Sequence, residues 1–552
     1  MPALIIFAAV LIAYIPAMRG GFIWDDDMYV TQNVTLRDGA GLKRIWFEPG
    51  ATPQYYPLVF TTFWVERQMW GVAQPAGYHV TNILLHAANA LLLWLTLRRL
   101  KIPGAWLAAM LFAVHPVHVE SVAWITERKN VLSGLFYLGA FLAYWRFSSS
   151  DDQSGRWRFY VLSLILFVAA LSSKTVTCTL PAAIVLILWW KNQDFRWRDF
   201  APLLPMFLLA LPAAMVTAAM ERQHVGAQGP EWAFSILDRT LIAGRAVWFY
   251  LFSILAPANL MFIYPRWRID ASEWWQFLFP VAALVAVILL WLCRERVGKG
   301  PLVAFLFFVG TLVPALGFVN VYPMQFSFVA DHFQYLASIG PIALIAAAAT
   351  LACSRWVCPA RATLFATVLL VLMEAAWRQE LIYKDSETLW NETLRRNPEA
   401  WIAHNNLSDP LLARGDFAGA AEHARLALLL RPNYAPAHNN LGLAMEGLQR
   451  NEEAVAQFRE AISLEPSMPQ ARLNLAGQLV SQNDLDGAER EYLQAIKAAP
   501  EFADAHYNYA VLLAMRGRTT DALRECATAC ALNPDDPQSQ LLLRTLSGHR
   551  DN

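Results

Sequence analysis

"HVTNILLHAANALLLWLTL", residues 79–97, contains no charged side chain. A helix needs about 20 mostly apolar residues to cross a bilayer, so the stretch reads as a membrane span. His79, Asn82, His86 and Asn89 interrupt it at spacings of 3, 4 and 3. That spacing puts all four on one helical face. In hydrocarbon such a face must point into a bundle or a wet cavity. His86 and Asn89 suit interhelical hydrogen bonds as well as substrate contact. His79, at the end of the span, is a candidate substrate-binding residue.

The rest of the chain agrees with a membrane class. Of 552 residues 56% are hydrophobic and 16% charged, and the formal net charge is zero, which gives no sign of nucleic-acid binding. Stretches like 79–97 recur at roughly 2–18, 103–116, 130–147, 157–173, 175–190, 200–219, 274–293, 301–319, 332–353 and 361–377. The N-terminus has no basic region or cleavage site, so 2–18 reads as a retained span. Basic clusters follow or precede alternate spans: Arg98, Arg99 and Lys101, then Arg156 and Arg158, Lys191 and Arg196, Arg294 and Arg296, Arg355 and Arg361. They share one side only if the apolar stretch 240–256, with Arg245 near its centre, does not cross. That stretch reads as re-entrant or interfacial. The expectation is eleven spans, the N-terminus cytoplasmic and the C-terminus external. The protein is thus expected to be integral and multi-pass, in a bacterial inner membrane with its C-terminal part periplasmic.

Beyond residue 380 the composition changes. Pro398, Pro432, Pro466, Pro500 and Pro534 recur at an interval of 34, as do Ala420, Ala454, Ala488 and Ala522. A helix–turn–helix unit of that length is the tetratricopeptide signature. The fold class expected is therefore all-α: a polytopic helix bundle over 1–380, a linker and partial repeat helix at 381–398, four repeats over 399–534, and a capping helix and tail at 535–552. Pro410 falls inside the first repeat helix and should kink it. Such arrays offer a concave surface to a peptide or partner. None of the six cysteines has metal spacing, and all read as packing thiols.

The polar residues that interrupt the apolar pattern mark a site. Asp25, Asp26 and Asp27 stand directly after the first span, between Trp24 and Met28-Tyr29. Three carboxylates beside a membrane helix are costly unless they are solvated or used. "HPVHVE" places His115, His118 and Glu120 at the mouth of the third span as a substrate-binding or orienting cluster. An HxxH pair could bind a metal, but no third ligand has diagnostic spacing, so metal dependence stays open. Of the cations that follow, Arg128 is taken into the site and Lys129 as a helix-end anchor. Lys174, Arg239 and Arg245 lie at headgroup depth and could hold a lipid phosphate. Asp331-His332 opens the tenth span, where Asp331 serves equally well as a helix cap or a site residue. The chain has no phosphate loop, dinucleotide fingerprint, nucleophile elbow or HExxH.

These residues resemble those of the GT-C-type polytopic glycosyltransferases, in the branch that joins a protein-mannosyltransferase-like membrane domain to C-terminal tetratricopeptide repeats. The stretches that carry the resemblance are "FIWDDDMYV", "YYPLVFTTFWVERQMWG", "GYHVTNILLHAANALLLWL", "FAVHPVHVESVAWITERKNVLSGLFYL", "SKTVTCTLP" and "ADHFQYLASIGP". The resemblance implies transfer of a sugar such as mannose from a polyprenyl-phosphate-linked donor to an acceptor hydroxyl, on the external face. It places the catalytic pair at Asp25 and Asp26, with Asp27 less firmly matched. His332 departs from the arginine expected there. A non-enzymatic scaffold that recruits envelope proteins is the competing reading. A transporter would need inverted repeats, which the sequence lacks.

Overall fold

The computed structural model describes residues 1–149, 155–192, 196–223, 225–227, 229–534 and 536–548. Position 535 and residues 549–552 of the expected cap and tail lie outside them. Among the described residues the chain is helices and turns, with no strand. It forms two compact units, residues 1–397 and 398–552.

In the first unit a helix covers most of each expected span. Pro75–Arg99 starts on a proline, whose missing N–H costs nothing in a first turn, and ends on Arg98 and Arg99, which suit the negative end of the helix dipole. Among the described residues four helical stretches are long and apolar enough to cross a membrane: Pro75–Arg99, Ala201–Gln223, Trp274–Leu292 and Cys358–Tyr383. A fifth is a bent pair, Ala105–Val114 and Pro116–Ala123, with a 56° break. Pro116 causes that break, because it can neither donate a backbone bond nor let His115 stay helical. "HPVHVE" is therefore the elbow of a broken helix. Shorter apolar helices occupy Pro2–Ala13, Thr175–Lys191, Gly300–Ala315 and Ile339–Arg355.

Two boundaries differ from the sequence reading. The expected tenth span begins at Ile339, not at His332, and residues Asp331–Gln334 form a separate 3-10 turn. Asp331 therefore caps no spanning helix. The 240–256 stretch is part of one 20-residue helix, Ile236–Leu255, started by a reciprocal Ser235–Asp238 capping box.

Helices approach closely where glycine allows it. Gly104 has φ +70°, and a Cβ there would lie 2.6 Å from the carbonyl oxygen of Ala346. A Cβ on Gly340 would lie 2.4 Å from that of Ala304.

The second unit is four helix pairs: Trp401–Ala413 with Phe417–Leu430, Ala435–Gly447 with Asn451–Leu464, Pro469–Ser481 with Leu485–Ala498, and Ala503–Met515 with Thr519–Leu532. Pro537–Gly548 follows as a further helix. The periodic alanines 420, 454, 488 and 522 are fully buried, and Cys526 takes the buried place that Phe458 and Tyr492 fill earlier. Helix Trp401–Ala413 runs through Pro410 without a break. A further periodicity appears at the repeat junctions. His404, His438, Arg472 and His506 each reach back 3.1 Å to the carbonyl of the proline six residues earlier. Each also pairs with the side chain 19 residues on: His423, Gln457, Glu491 and Glu525.

Candidate active site

The loop after the first helix bends sharply at Trp24, a non-glycine residue at φ +44°. Such a backbone is strained and persists only where its surroundings hold it. Here the Trp24 ring stacks on Trp124 at 5.4 Å, with 13° between planes, and meets Phe262, Phe326 and Trp390 edge-on. The bend sends the next two carboxylates in different directions.

Asp25 faces a cavity of about 560 Å³. Its carboxylate makes no hydrogen bond or ion pair among the described residues. Asp26 is fully buried and saturated. Its Oδ1 accepts bonds from the Thr126 backbone N–H at 2.8 Å and hydroxyl at 2.6 Å, and its Oδ2 accepts the Ile23 N–H at 2.9 Å. Asp27 is exposed and accepts a bond from the Thr31 hydroxyl. Burial pushes the Asp25 carboxyl up to about 6, with nearby Lys129 opposing the rise. Burial pushes Asp26 up to about 7 against its three donors.

Opposite Asp25, the turn Ile125–Glu127 and the start of helix Arg128–Ser148 bring a charged cluster to the cavity wall. Glu127 pairs with Lys129 at 2.9 Å and Lys174 at 3.3 Å, and accepts a 2.6 Å bond from Asn130. Lys174 also donates to Asn130 at 2.7 Å. Burial alone would raise Glu127, but His332, Lys129 and Lys174 together hold it well below the usual carboxylate range. Burial lowers Lys174 to about 8, with Glu127 opposing. His332 is clasped by Glu120, ring to carboxylate at 2.9 Å and backbone N–H to carboxylate at 3.0 Å. Asp331, behind it, accepts a bond from the Tyr264 hydroxyl and is raised by burial and by Glu120. At the rim Glu221 accepts from Gln54 at 2.6 Å and from the Tyr322 backbone at 3.0 Å, tying two loops together.

The cavity thus gathers Asp25, Glu120, Lys174 and His332 from the sequence-expected set. The others stand elsewhere. Arg128 does not line the cavity: it is fully buried between Glu66, Asn82 and the Tyr78 carbonyl, over the Phe63 ring. Its neighbour Lys129, expected to be an anchor, lines the cavity instead. His115 donates to the Ile254 carbonyl, and His118 bridges the Phe112 carbonyl and Ser338. His79 packs against Gly20. Arg239 is engaged by the Gly317 carbonyl and Asn320, and Arg245 lies over Trp267 at 4.4 Å. Glu127, Glu221 and the Trp24–Trp124 stack are cavity features that the sequence did not single out, although Glu127 falls within "HPVHVESVAWITERKN". Among the described residues no three His, Cys, Asp or Glu side chains are placed to hold a metal ion.

A second pocket of about 270 Å³ shares Tyr56, Lys174, Glu221 and Phe333 with the cavity. Its remaining wall is largely apolar, including Val176, Ala218, Pro314 and Leu336.

Comparison with known proteins agrees with both units. Tetratricopeptide repeat models match residues 370–438, 473–537 and 435–468. The human protein O-mannosyl-transferase TMTC1 is 28% identical over 504 residues, which covers 80% of this chain and 56% of that protein. The mouse protein O-mannosyl-transferase TMTC3 is 31% identical over 177 residues, 30% of this chain and 19% of that one. A thermophilic tetratricopeptide protein of Thermus thermophilus, of known structure, is 20% identical with a TM-score of 0.28, over 32% of this chain and 94% of its own. The chain spans little more than half the length of the human relative. It is similar in sequence to the TMTC protein O-mannosyl-transferases over four-fifths of its length, and it carries tetratricopeptide repeats, matched between residues 370 and 537.

Proposed function

We propose that the protein is a membrane glycosyltransferase that moves a sugar, mannose in the first instance, from a polyprenyl-phosphate donor to a protein hydroxyl. The observation that carries this reading is the pairing, in one cavity, of an unpartnered Asp25 carboxylate with the Lys129–Lys174 cation pair. The relatives' names support the sugar and the acceptor.

The chemistry follows from the placement. The donor phosphate sits against Lys174 and Lys129, which Glu127 orients without neutralising both. The apolar pocket beyond Lys174 takes the first isoprene units. The sugar lies along the aromatic wall of Trp24 and Phe326. Asp25, largely ionised at neutral pH, accepts the proton of the acceptor hydroxyl as its oxygen forms a bond to the anomeric carbon. The bond from that carbon to the phosphate oxygen breaks, the configuration inverts, and the electron pair leaves on the lipid phosphate. Cations held in place for that charge avoid the cost of reorganising water at the moment of transfer. His332 lines the wall with Asp331 behind it, and Asp26 fixes the turn that presents Asp25. His79, His115, His118 and Arg128 support the packing around the cavity. Arg239 and Arg245, outside the cavity lining, stand at headgroup depth for a lipid phosphate.

In this reading the cavity and the repeats face the periplasm, in a bacterial inner membrane, and the repeats recruit the acceptor or a partner. Trp390, close to the end of the first unit, packs on Trp24 at the cavity wall. The test is glycoproteomics of a deletion strain complemented with wild-type protein or Asp25→Asn at equal expression. Restoration of a defined O-linked hexose by the wild type alone supports transfer. Equal restoration by the variant favours the scaffold.

A further inference from the structure

A third pocket, of about 350 Å³, lies at the other end of the bundle. The cavity described above is lined by Lys174, just ahead of helix Leu180–Lys191, and by Trp124, whose carbonyl accepts a bond from Asn82 near the start of Pro75–Arg99. The third pocket lies between the C-terminal ends of the same helices, together with Gly300–Leu312 and Ile339–Ala352. Twenty-five residues of helix separate the two ends of Pro75–Arg99, about 37 Å of rise.

Its walls are apolar, formed among others by Leu97, Phe141, Trp190, Phe307 and Leu351. Its depth is set where Gly340 lets two helices touch. Two lysines contribute to its lining, Lys101 and Lys191. Lys191 donates one bond, 2.7 Å to the Leu100 carbonyl, and lies over Trp190 at 3.8 Å. An ammonium has three donors, so capacity remains. Lys101 has φ +54° directly past the helix end, a place where glycine is the ordinary choice. The Thr96 hydroxyl, on the same wall, is buried with no partner among the described residues. An apolar slot, a cationic mouth and an unused hydroxyl match a hydrocarbon chain that ends in an ester and a phosphate.

We propose that this pocket binds one acyl chain of an anionic membrane phospholipid, whose headgroup phosphate rests between Lys101 and Lys191. The charge of the mouth selects the headgroup, because each basic side chain at a membrane surface favours anionic lipid. The site is separate from sugar transfer and stands whether or not the transfer reading does.

The test uses the full-length protein, purified in mild detergent and placed in nanodiscs of mixed phosphatidylglycerol and phosphatidylcholine. Retained lipid is counted by native mass spectrometry after a delipidating wash. The wild type is expected to keep phosphatidylglycerol in preference. Lys101→Gln and Lys191→Gln should each reduce that preference about fivefold, and Ala347→Phe, which fills the slot, should reduce retention of both lipids. Melting temperature reports whether each variant folds, and the exposed Lys101 position serves if Lys191→Gln does not. An unchanged preference in Lys101→Gln, or unchanged retention in a folded Ala347→Phe protein, overturns the proposal.

Discussion

Asp26 and Thr126 lie a hundred positions apart in sequence and are joined by two hydrogen bonds, 2.8 Å from the backbone and 2.6 Å from the hydroxyl, to one carboxylate oxygen. This clamp fixes the turn of the acidic loop against the wall that carries Glu127. Removing the carboxylate leaves buried donors without acceptors, at about 1–3 kcal/mol for each group left unpaired. Asp26→Ala is therefore expected to lower the melting temperature and to lose activity through the fold. Thr126→Val should show a smaller version of the same effect. Thermal unfolding followed by circular dichroism checks both.

The adjacent cations should separate in the same way. Arg128 and Glu66 are both buried, so Arg128→Met strands a carboxylate and should cost about 3–5 kcal/mol. Lys129→Met, at the cavity wall, should leave a folded protein whose transfer is weakened. Expression and melting compared with transfer rate distinguish the two.

The pH profile of transfer follows from two shifts. The base must be ionised, so kcat/KM should rise with pH through about 6, where Asp25 loses its proton. The phosphate clamp must be charged, so the rate should fall above about 8, where Lys174 loses its own. Lys174→Arg, if it folds, should move the alkaline limb upward.

Stability carries the opposite sign. The folded Asp25 carboxyl sits above its unfolded value, so folding is penalised once the unfolded chain ionises, and the penalty is complete above about pH 6. Below the unfolded value both states are protonated and the penalty vanishes. Asp25→Asn should therefore melt higher than the wild type at pH 7.5, and the difference should shrink towards pH 4. Paired melts across that range measure it.

Pro410 offers a test in the repeats. A proline inside a helix removes one backbone bond and crowds the preceding turn, at roughly 3 kcal/mol in an isolated case. Pro410→Ala should slow amide exchange across Trp401–Ala413. Hydrogen-exchange mass spectrometry reads this helix by itself.

The repeat register and the helical class were legible because they depend on spacing alone. A 34-residue period fixes which alanines are buried whatever the rest of the chain does. The site was legible only in part. Which of three adjacent carboxylates meets the cavity depends on the backbone at Trp24, and four aromatic rings from distant segments hold that backbone. Arg128 and Lys129 start one helix about 100° apart around its axis, and sequence gives their separation but not the phase. Glu221 reaches Gln54 from 167 positions away, and no local pattern marks it. Asp331 resembled a helix cap because Asp commonly is one. Here the helix starts eight residues later, and the carboxylate meets Tyr264 instead.

The most direct measurement is single-turnover transfer from a polyprenyl-phosphate mannose donor to a peptide acceptor, by full-length wild-type protein and Asp25→Asn in nanodiscs at pH 7.5. Loss of a positioned general base should slow transfer roughly 10²- to 10⁴-fold, with donor binding retained and the variant melting at or above the wild type. Transfer by a folded Asp25→Asn protein within a fewfold of the wild-type rate would contradict the account.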